Sequence, residues 1–350
     1  MHSLERNLLN HYQRDFPLTS QPFAQIAKEV NSDTASILHT FKILKNAGKI
    51  TRIGPVFRPN TIGVSTLAAL KAPSSQLETI AEIINQYPEV NHNYEREHAY
   101  NLWFVATAPD AQHLENTLQQ MEQQIGIDIM RLPLLKEYYI DLGFTMPLDD
   151  ATKHANISKH HAHHHSVQYS IQHHDELQQR LLAEIQSGLP LVDKPYQAVA
   201  DTIGTTEQEV LRRIDIMLTA GTIRRMGVVV RHRELGYRAN AMLVWDIPDE
   251  QIDEVGTQLS QVDCITLCYQ RPRHLPHWRY NLFTMIHGKD KPSVEACVQR
   301  IVSDYGLQDI PRATLFSKRR FKQRGACYSY AKSDIISKQS KVAAYGNLAR

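Results

Sequence analysis

The first apolar residues of the chain recur at spacings of three and four. They stand at Leu4, Leu8 and Leu9, then at Phe23, Ile26, Ala27 and Val30, which predicts short amphipathic helices. A longer helix is expected over 33 to 47, with Ile37, Phe41 and Leu44 on one face. Asn31, Ser32 or Asp33 can cap its start, and Gly48 suits its end. KITRIG then opens a small β-wing, so residues 1–60 read as a winged helix-turn-helix. After it the period changes. VSTLAALKA is a strand, QLETIAEIINQY a helix, EVNHNY and AYNLWFVAT two strands, DAQHLENTLQQMEQQIG a helix, and IDIMRLPLLKEYYID contains a last strand. The order β-α-β-β-α-β over 61–150 is that of a ferredoxin-like unit.

The whole pattern then returns. FAQIAKEVNSDTASILHTFKILKNAGKITRIG from Phe23 matches YQAVADTIGTTEQEVLRRIDIMLTAGTIRRMG from Tyr196 at a constant offset of 173, and Gly48, Arg52, Gly54 and Gly63 meet Gly221, Arg225, Gly227 and Gly236. Such register over nearly fifty residues marks a duplication. A second winged helix-turn-helix spans 176–234 and a second ferredoxin-like unit 235–330. Along AYNLWFVAT, Tyr100, Leu102 and Phe104 are expected on one face and Trp103 and Val105 on the other. Both faces are apolar and helices can cover only one, so the sheet of the other half should cover the second. The expected fold is α+β, a tandem duplication closed into an internal pseudo-dimer.

Residues 151–175 form a linker in which eight histidines crowd into 154 to 174, without the spacing of a defined metal site. The tail, 331–350, has little periodicity. The four cysteines, Cys264, Cys268, Cys297 and Cys327, all lie in the second half. In the strand-like CITLC the outer two stand about 13 Å apart, too far to bond. Reduced thiols and a cytoplasmic protein are expected. The start, MHSLERNLLNHYQRDF, lacks the apolar core of a signal peptide, and no apolar run has the length of a membrane span.

A net charge of +2 does not point to nucleic acid. The first turn of the second recognition helix, TTEQE, would bring Glu207 and Glu209 to the phosphates. The first unit offers SDTAS, with Asp33 and no cation. Arg212 and Arg213 come a turn later, so DNA binding is disfavoured rather than excluded.

The cations gather elsewhere. Arginines crowd RRMGVVVRHRELGYR, QRPRHLPHWRY and KRRFKQRG, threaded by His232, His274, His277 and His287 and by Tyr237, Tyr269 and Tyr280. The first half carries a thinner version: Arg52, Arg58, Arg96, His92, His98, Tyr94 and Tyr100. Arginine forks match carboxylates or phosphates, and histidine can give a proton near neutral pH. Together they suit a small polyanion whose chemistry needs a proton. The halves are unequal: Arg96 to Tyr100 spans four positions, and the matching Arg271 to Tyr280 spans nine.

The architecture resembles the Lrp/AsnC-type regulators. The phrases RIGPVFRPNTIGVSTLAAL, HNYEREHAYNLWF, RRMGVVVRHRELGYRANAMLVWDIPDE, LCYQRPR, YNLFTMIHG and RRFKQRG are closer to siroheme decarboxylases, here in a fused two-part form. That resemblance implies removal of two acetate carboxylates, at C12 and C18, from the iron tetrapyrrole siroheme in haem d1 biosynthesis. It implies no cofactor beyond the iron-containing substrate. Matched motif to motif, His98, His277 and His232 are the expected proton donors, with His232 alternatively an iron ligand. Arg96, Arg231, Arg271 and Arg58, with Tyr94, Tyr100, Tyr269 and Tyr280, are the expected substrate-binding set. With the two YNL phrases aligned, His98 meets Trp278, so His274 or His277 could take the matching role. A further homodimer and contact with other haem d1 pathway enzymes are compatible with this reading. The rival readings are a regulator sensing a tetrapyrrole or another small anion, and a subunit that passes siroheme between enzymes.

Overall fold

The computed structural model describes residues 3–140, 175–231, 239–326 and 328. The histidine-rich stretch, His232 and the tail lie outside the described residues. Half one begins with α1 (Ser3–His11), α2 (Pro22–Glu29), α3 (Thr34–Asn46) and β1 (Ile50–Phe57). Half two repeats them as α6 (Glu176–Ile185), α7 (Pro195–Ile203), α8 (Glu207–Thr219) and β7 (Ile223–Val230). Asp33 caps α3 by accepting from the Ser36 N–H, and Thr206 caps α8 by accepting from Glu209. Gly48 and Gly221 follow these helices with φ of +70° and +73°, where a side chain would be strained.

The wings do not form separate hairpins. β1 pairs antiparallel with β7, and Gly54 stands directly opposite its own counterpart Gly227. The internal twofold axis therefore passes between these glycines. Gly227 must be glycine on steric grounds, and Gly54 sits in a tight contact. A side chain on Gly227 would strike the Gln13 carbonyl, and one on Gly54 would press on Gly188. The chain crosses there to bond the wing: Phe16 N–H donates to Met226 O at 3.1 Å and, equivalently, Leu189 N–H to Ile53 O at 2.7 Å.

The remaining strands make one continuous nine-stranded ladder in two parts, a sheet from each half, joined edge to edge. Half one supplies β2 (Val64–Leu70), β3 (Val90–Arg96), β4 (Leu102–Ala108), β5 (Met130–Pro133) and β6 (Lys136–Ile140), with α4 (Leu77–Gln86) and α5 (Ala111–Ile125). Half two supplies β8 (Ala239–Trp245), β9 (Ile265–Gln270), β10 (Leu282–Gly288) and β11 (Arg312–Gln323), with α9 (Ile252–Ser260) and α10 (Lys291–Asp304). The order is β5-β2-β4-β3-β11-β8-β10-β9-β6. The halves thus exchange strands as well as packing face to face. β6 leaves half one to pair with β9, and the far end of β11 pairs with β3. The one last strand expected in half one is two. Pro133 closes the ladder with β2, lacking an N–H to continue it, whereas its register equivalent Phe316 lets β11 run on.

Each sheet has a helix-covered face. Leu102 and Phe104 pack beneath α4 and α5, and Trp245 and Leu282 beneath α9 and α10. The other faces meet in a shared core where Trp103, Met130 and Leu132 of half one pack with Val244, Tyr269, Trp278, Phe283 and Leu315 of half two. Tyr100 packs here with Trp103, not with Leu102 and Phe104 as alternation predicted. It precedes β4, and its carbonyl accepts the Trp103 indole N–H at 2.7 Å. A disulfide joins Cys264 to Cys297, where reduced thiols were expected; Cys268 is buried and free, and Cys327 lies outside the described residues. No described helix is long and apolar enough to cross a membrane.

Candidate active site

Strand β3 sets up the site by simple alternation. The Asn93 amide donates to the Ala81 carbonyl and to Asn85 on α4, so Asn93 faces the helices. His92, Tyr94 and Arg96 therefore face the interior between the sheets. β9 leads Leu267, Tyr269 and Arg271 to the matching positions, because Tyr94 pairs with Trp103 as Tyr269 pairs with Phe283.

Arg96 and Arg271 are one motif used twice. Arg96 Nη1 donates to the Leu315 carbonyl at 3.0 Å, and Arg271 Nη1 donates to the Leu132 carbonyl. Leu315 and Leu132 hold equivalent places, opposite Met242 and Leu67. Each arginine thus reaches from its own half to the backbone of the other. Arg96 lies 5.8 Å from the Tyr94 ring and Arg271 4.6 Å from the Tyr269 ring. Burial holds both guanidinium pKa values below their ordinary range, opposed by Tyr269 and Tyr94 at Arg96 and by Tyr269, which also hydrogen-bonds, at Arg271. Both Nε atoms are buried without an acceptor, as are Ser317 Oγ, Trp278 Nε1 and the Nε atoms of Arg52 and Arg324. A buried cation with no carboxylate is costly, and this surplus of donors fits an incoming anion.

His98 stands where the loop leaves β3. Its Nδ1 accepts the Tyr100 N–H at 3.0 Å, so the neutral ring carries its proton on Nε2. The ring stacks on Tyr100 at 6.4 Å and meets Trp278 edge-on at 5.4 Å. Burial, and then the Lys71 ammonium, push its pKa below the usual histidine value. Lys71 follows β2 and lies 4.7 Å over the Tyr100 ring. Trp278 is 1% exposed and packs against Tyr100 at 5.8 Å, Trp103 at 5.2 Å and Tyr280 at 5.0 Å. Asn101 keeps the loop still: its amide donates to Ala72 O and its oxygen accepts from Ala72 N–H, both at 2.8 Å. Asn281 makes the same pair of bonds to Ile247 at 2.9 Å.

The expected set is therefore divided. Arg96, Arg271, Tyr94 and Tyr269 share the interior, and His98, Tyr100 and Tyr280 share an aromatic niche around Trp278. His277 lies exposed on the outside of the insertion. His274 instead turns its Nε2 to the Arg131 carbonyl at 2.6 Å. Arg58 and Arg231 sit at the wing ends. Arg58 N–H donates to Thr222 O and Arg231 N–H to Lys49 O, and the Arg231 head lies against Gly48. His232 lies outside the described residues.

Two residues of the thinner half deserve a larger part than the motifs gave them. His92 stacks on Tyr94 at 6.2 Å, with Nδ1 2.8 Å from Asn91 Oδ1, and burial followed by Arg52 lowers its pKa to about 4. Arg52 donates to Pro55 O at 3.0 Å, and burial takes its own pKa down to about 10. The period-2 position of His92 with Tyr94 and Arg96 was the sequence signal for the first. The second was marked only by the repeat, as the partner of Arg225.

The arginines of α8, the second recognition helix expected from the sequence, are committed to carboxylates. Arg212 pairs with Glu209 at 2.7 Å, and Arg213 pairs with Glu209 at 2.7 Å and Asp175 at 2.8 Å.

Comparison with known proteins gives this geometry a context. A family model described as the AsnC-like ligand binding domain matches 61–139 and 234–322. A model described as the siroheme decarboxylase NirDL-like HTH domain matches 5–50 and 178–224. The siroheme decarboxylase NirDL subunit of Paracoccus pantotrophus is 40% identical over 339 residues, covering 93% of this chain and 97% of that protein. Among solved structures, the siroheme decarboxylase NirDL superposes with a TM-score of 0.69 at 27% identity, covering 98% and 99% of the two chains. A second, NirDL in co-complex with an iron-uroporphyrin III analogue, does so with a TM-score of 0.66 at 28% identity, covering 93% and 94%.

Proposed function

The chain belongs to the siroheme decarboxylase family, and from that premise we propose how its interior carries out the reaction. The chain is a carboxy-lyase that takes siroheme as substrate. The carboxylates removed are those of the acetates at C12 and C18, and the product is 12,18-didecarboxysiroheme on the route to haem d1. The observation that carries the residue roles is the pair Arg96 and Arg271. They are buried, related by the internal twofold, and lack any carboxylate partner among the described residues. Siroheme brings a ring of carboxylates, and guanidinium forks from the two halves would grip the ones that stay. On this reading the flat macrocycle is seated in the apolar layer between the halves.

In each step the C–C bond between an acetate methylene and its carboxylate breaks. Carbon dioxide leaves, and the bond's electron pair enters the conjugated ring. A proton then forms the new C–H bond, leaving a methyl group, and no oxidant or reductant is needed. His98 supplies that proton. At rest its ring is neutral, held so by burial, by Lys71 and by the Tyr100 N–H on Nδ1. A polyanionic substrate favours the imidazolium; charging the ring puts a proton on Nδ1, so the Tyr100 N–H bond opens as substrate binds and the acid is then charged.

Anaerobic incubation of the chain with siroheme, followed by mass spectrometry, tests the activity. Loss of two carbon dioxide molecules is expected, and unchanged siroheme from a folded sample would contradict it. A gel shift that survives physiological salt would favour the regulator instead. The ion-paired Arg212 and Arg213 argue that none will be seen.

A further inference from the structure

We propose that the insertion of half two completes the reacting niche of half one, with Trp278 as its substrate-orienting wall, and that half two has no reacting niche of its own. The inference rests on the reading of the chain as a siroheme decarboxylase.

The insertion folds back tightly. His274 N–H donates to Trp278 O at 2.7 Å and Trp278 N–H to His274 O at 2.8 Å. This turn sends His277 outward and the indole inward. Trp278 is the alignment partner of His98, and it lies in contact with His98 itself. It thus fills the place where half two would carry a second histidine and becomes a wall for the first one. Tyr100 and Trp103 of half one complete the enclosure.

The indole is also an unsatisfied donor. Trp103 Nε1 donates to Tyr100 O at 2.7 Å and Trp245 Nε1 to Thr284 Oγ1 at 3.2 Å. Trp278 Nε1 is buried and has no acceptor. A single neutral N–H suits a reacting carboxylate. It orients the group without neutralising the charge that must move into the ring, whereas a guanidinium would stabilise the ground state it has to leave.

Half two closes its own mouth with charge. Asp246 stands in the register position of Lys71, since Trp245 pairs with Leu282 as Leu70 pairs with Leu102. Asp246 binds Arg273 at 3.0 Å and Arg279 at 2.7 Å, and Arg273 also pairs with Asp249. The insertion's arginines are thereby committed to local carboxylates, while Lys71 remains outside any ion pair among the described residues.

The test uses the intact chain labelled with ¹⁵N in its tryptophan indoles. Three indole N–H signals are expected, and the one missing from a Trp278→Phe sample identifies Trp278. Adding metal-free siroheme, which is diamagnetic, should move the Trp278 signal downfield as it gains an acceptor and leave the Trp245 signal in place. An unmoved Trp278 signal at saturating ligand overturns the proposal. Kinetics give a second reading. Trp278→Phe should bind siroheme within about twofold of the parent and turn over about tenfold more slowly, one lost hydrogen bond's worth. Unchanged kcat overturns the proposal as well. If Trp278→Phe does not fold, Trp103→Phe and Trp245→Phe samples assign the other two signals, and the remaining one is Trp278. Turnover by the parent chain tests the enzyme reading separately, so the two cannot fail together unnoticed.

Discussion

In half one, Lys71 follows β2 and leans over Tyr100 beside His98. In half two, Asp246 follows β8 and binds Arg273 and Arg279. The asparagine clamp beneath is the same in both, Asn101 on Ala72 and Asn281 on Ile247. So is the crossed arginine, Arg96 on Leu315 and Arg271 on Leu132. The duplication has kept the crossed interior arginines and the clamp on the loop's backbone. It has changed what stands at the mouth. One interior position differs too: His92 of half one is Leu267 in half two.

Substitutions that exchange features between the halves should probe this difference. The largest effect belongs to the proton donor. His98→Ala should lower turnover by about 100-fold or more, the range for a lost general acid. His277→Ala, on the exposed turn, should stay within about twofold. Steady-state kinetics separate the two, and equal losses would remove the distinction between the mouths.

Next come the shared arginines. Arg96→Met and Arg271→Met should each raise KM by about 10- to 100-fold, the value of a charge-assisted hydrogen bond, with a smaller change in kcat. A loss in one alone would mean that the substrate leans on a single half.

His92 gives a stability difference with a defined sign. Its folded pKa of about 4 lies below the ordinary 6.5, so folding favours the neutral ring. That stability is whole above the unfolded value and is lost as pH falls from 6.5 towards 4. It amounts to about 2 kcal/mol by pH 5. His92→Leu, which copies half two, should remove this acid-side loss in urea unfolding compared at pH 7.5 and pH 5. An undiminished loss would assign it elsewhere.

Smaller again is the Lys71 effect. Burial and Lys71 hold the His98 pKa below 6.5, so kcat/KM should fall as pH rises through that lowered value. Lys71→Met should shift this limb to higher pH. Arg279→Ala should do least, since its exposed pair with Asp246 is worth about 0.2–1 kcal/mol.

Much of the scaffold could be read in advance because its signals are local. Apolar spacing marked α3 and its Asp33 cap, glycine marked its end, and the offset of 173 marked the second unit. Apolar residues on both faces of β4 foretold the second sheet. Strand exchange could not be read, because the residues of β6 suit either half equally. Pro133 sets where the first ladder stops, but not where the chain goes next. The pairing of β1 with β7 escaped for a related reason: a wing strand says nothing of its partner. Among the expected site residues, the repeat marked Arg96 and Arg271 together, and both are buried in the interior. It also set His98 opposite Trp278, which looked like a misfit and proved to be a contact. Lys71 gave no signal, since a lysine after a strand is ordinary until its neighbour is a histidine.

The proposed reaction takes two carbon dioxide molecules from siroheme and the chain has two halves, so the direct question is whether each half removes one. Mass spectrometry of siroheme incubated anaerobically with His98→Ala answers it. A single reacting niche predicts that both decarboxylations fail together and siroheme stays intact. Accumulation of a product lacking only one carbon dioxide would contradict the account and give half two a niche of its own.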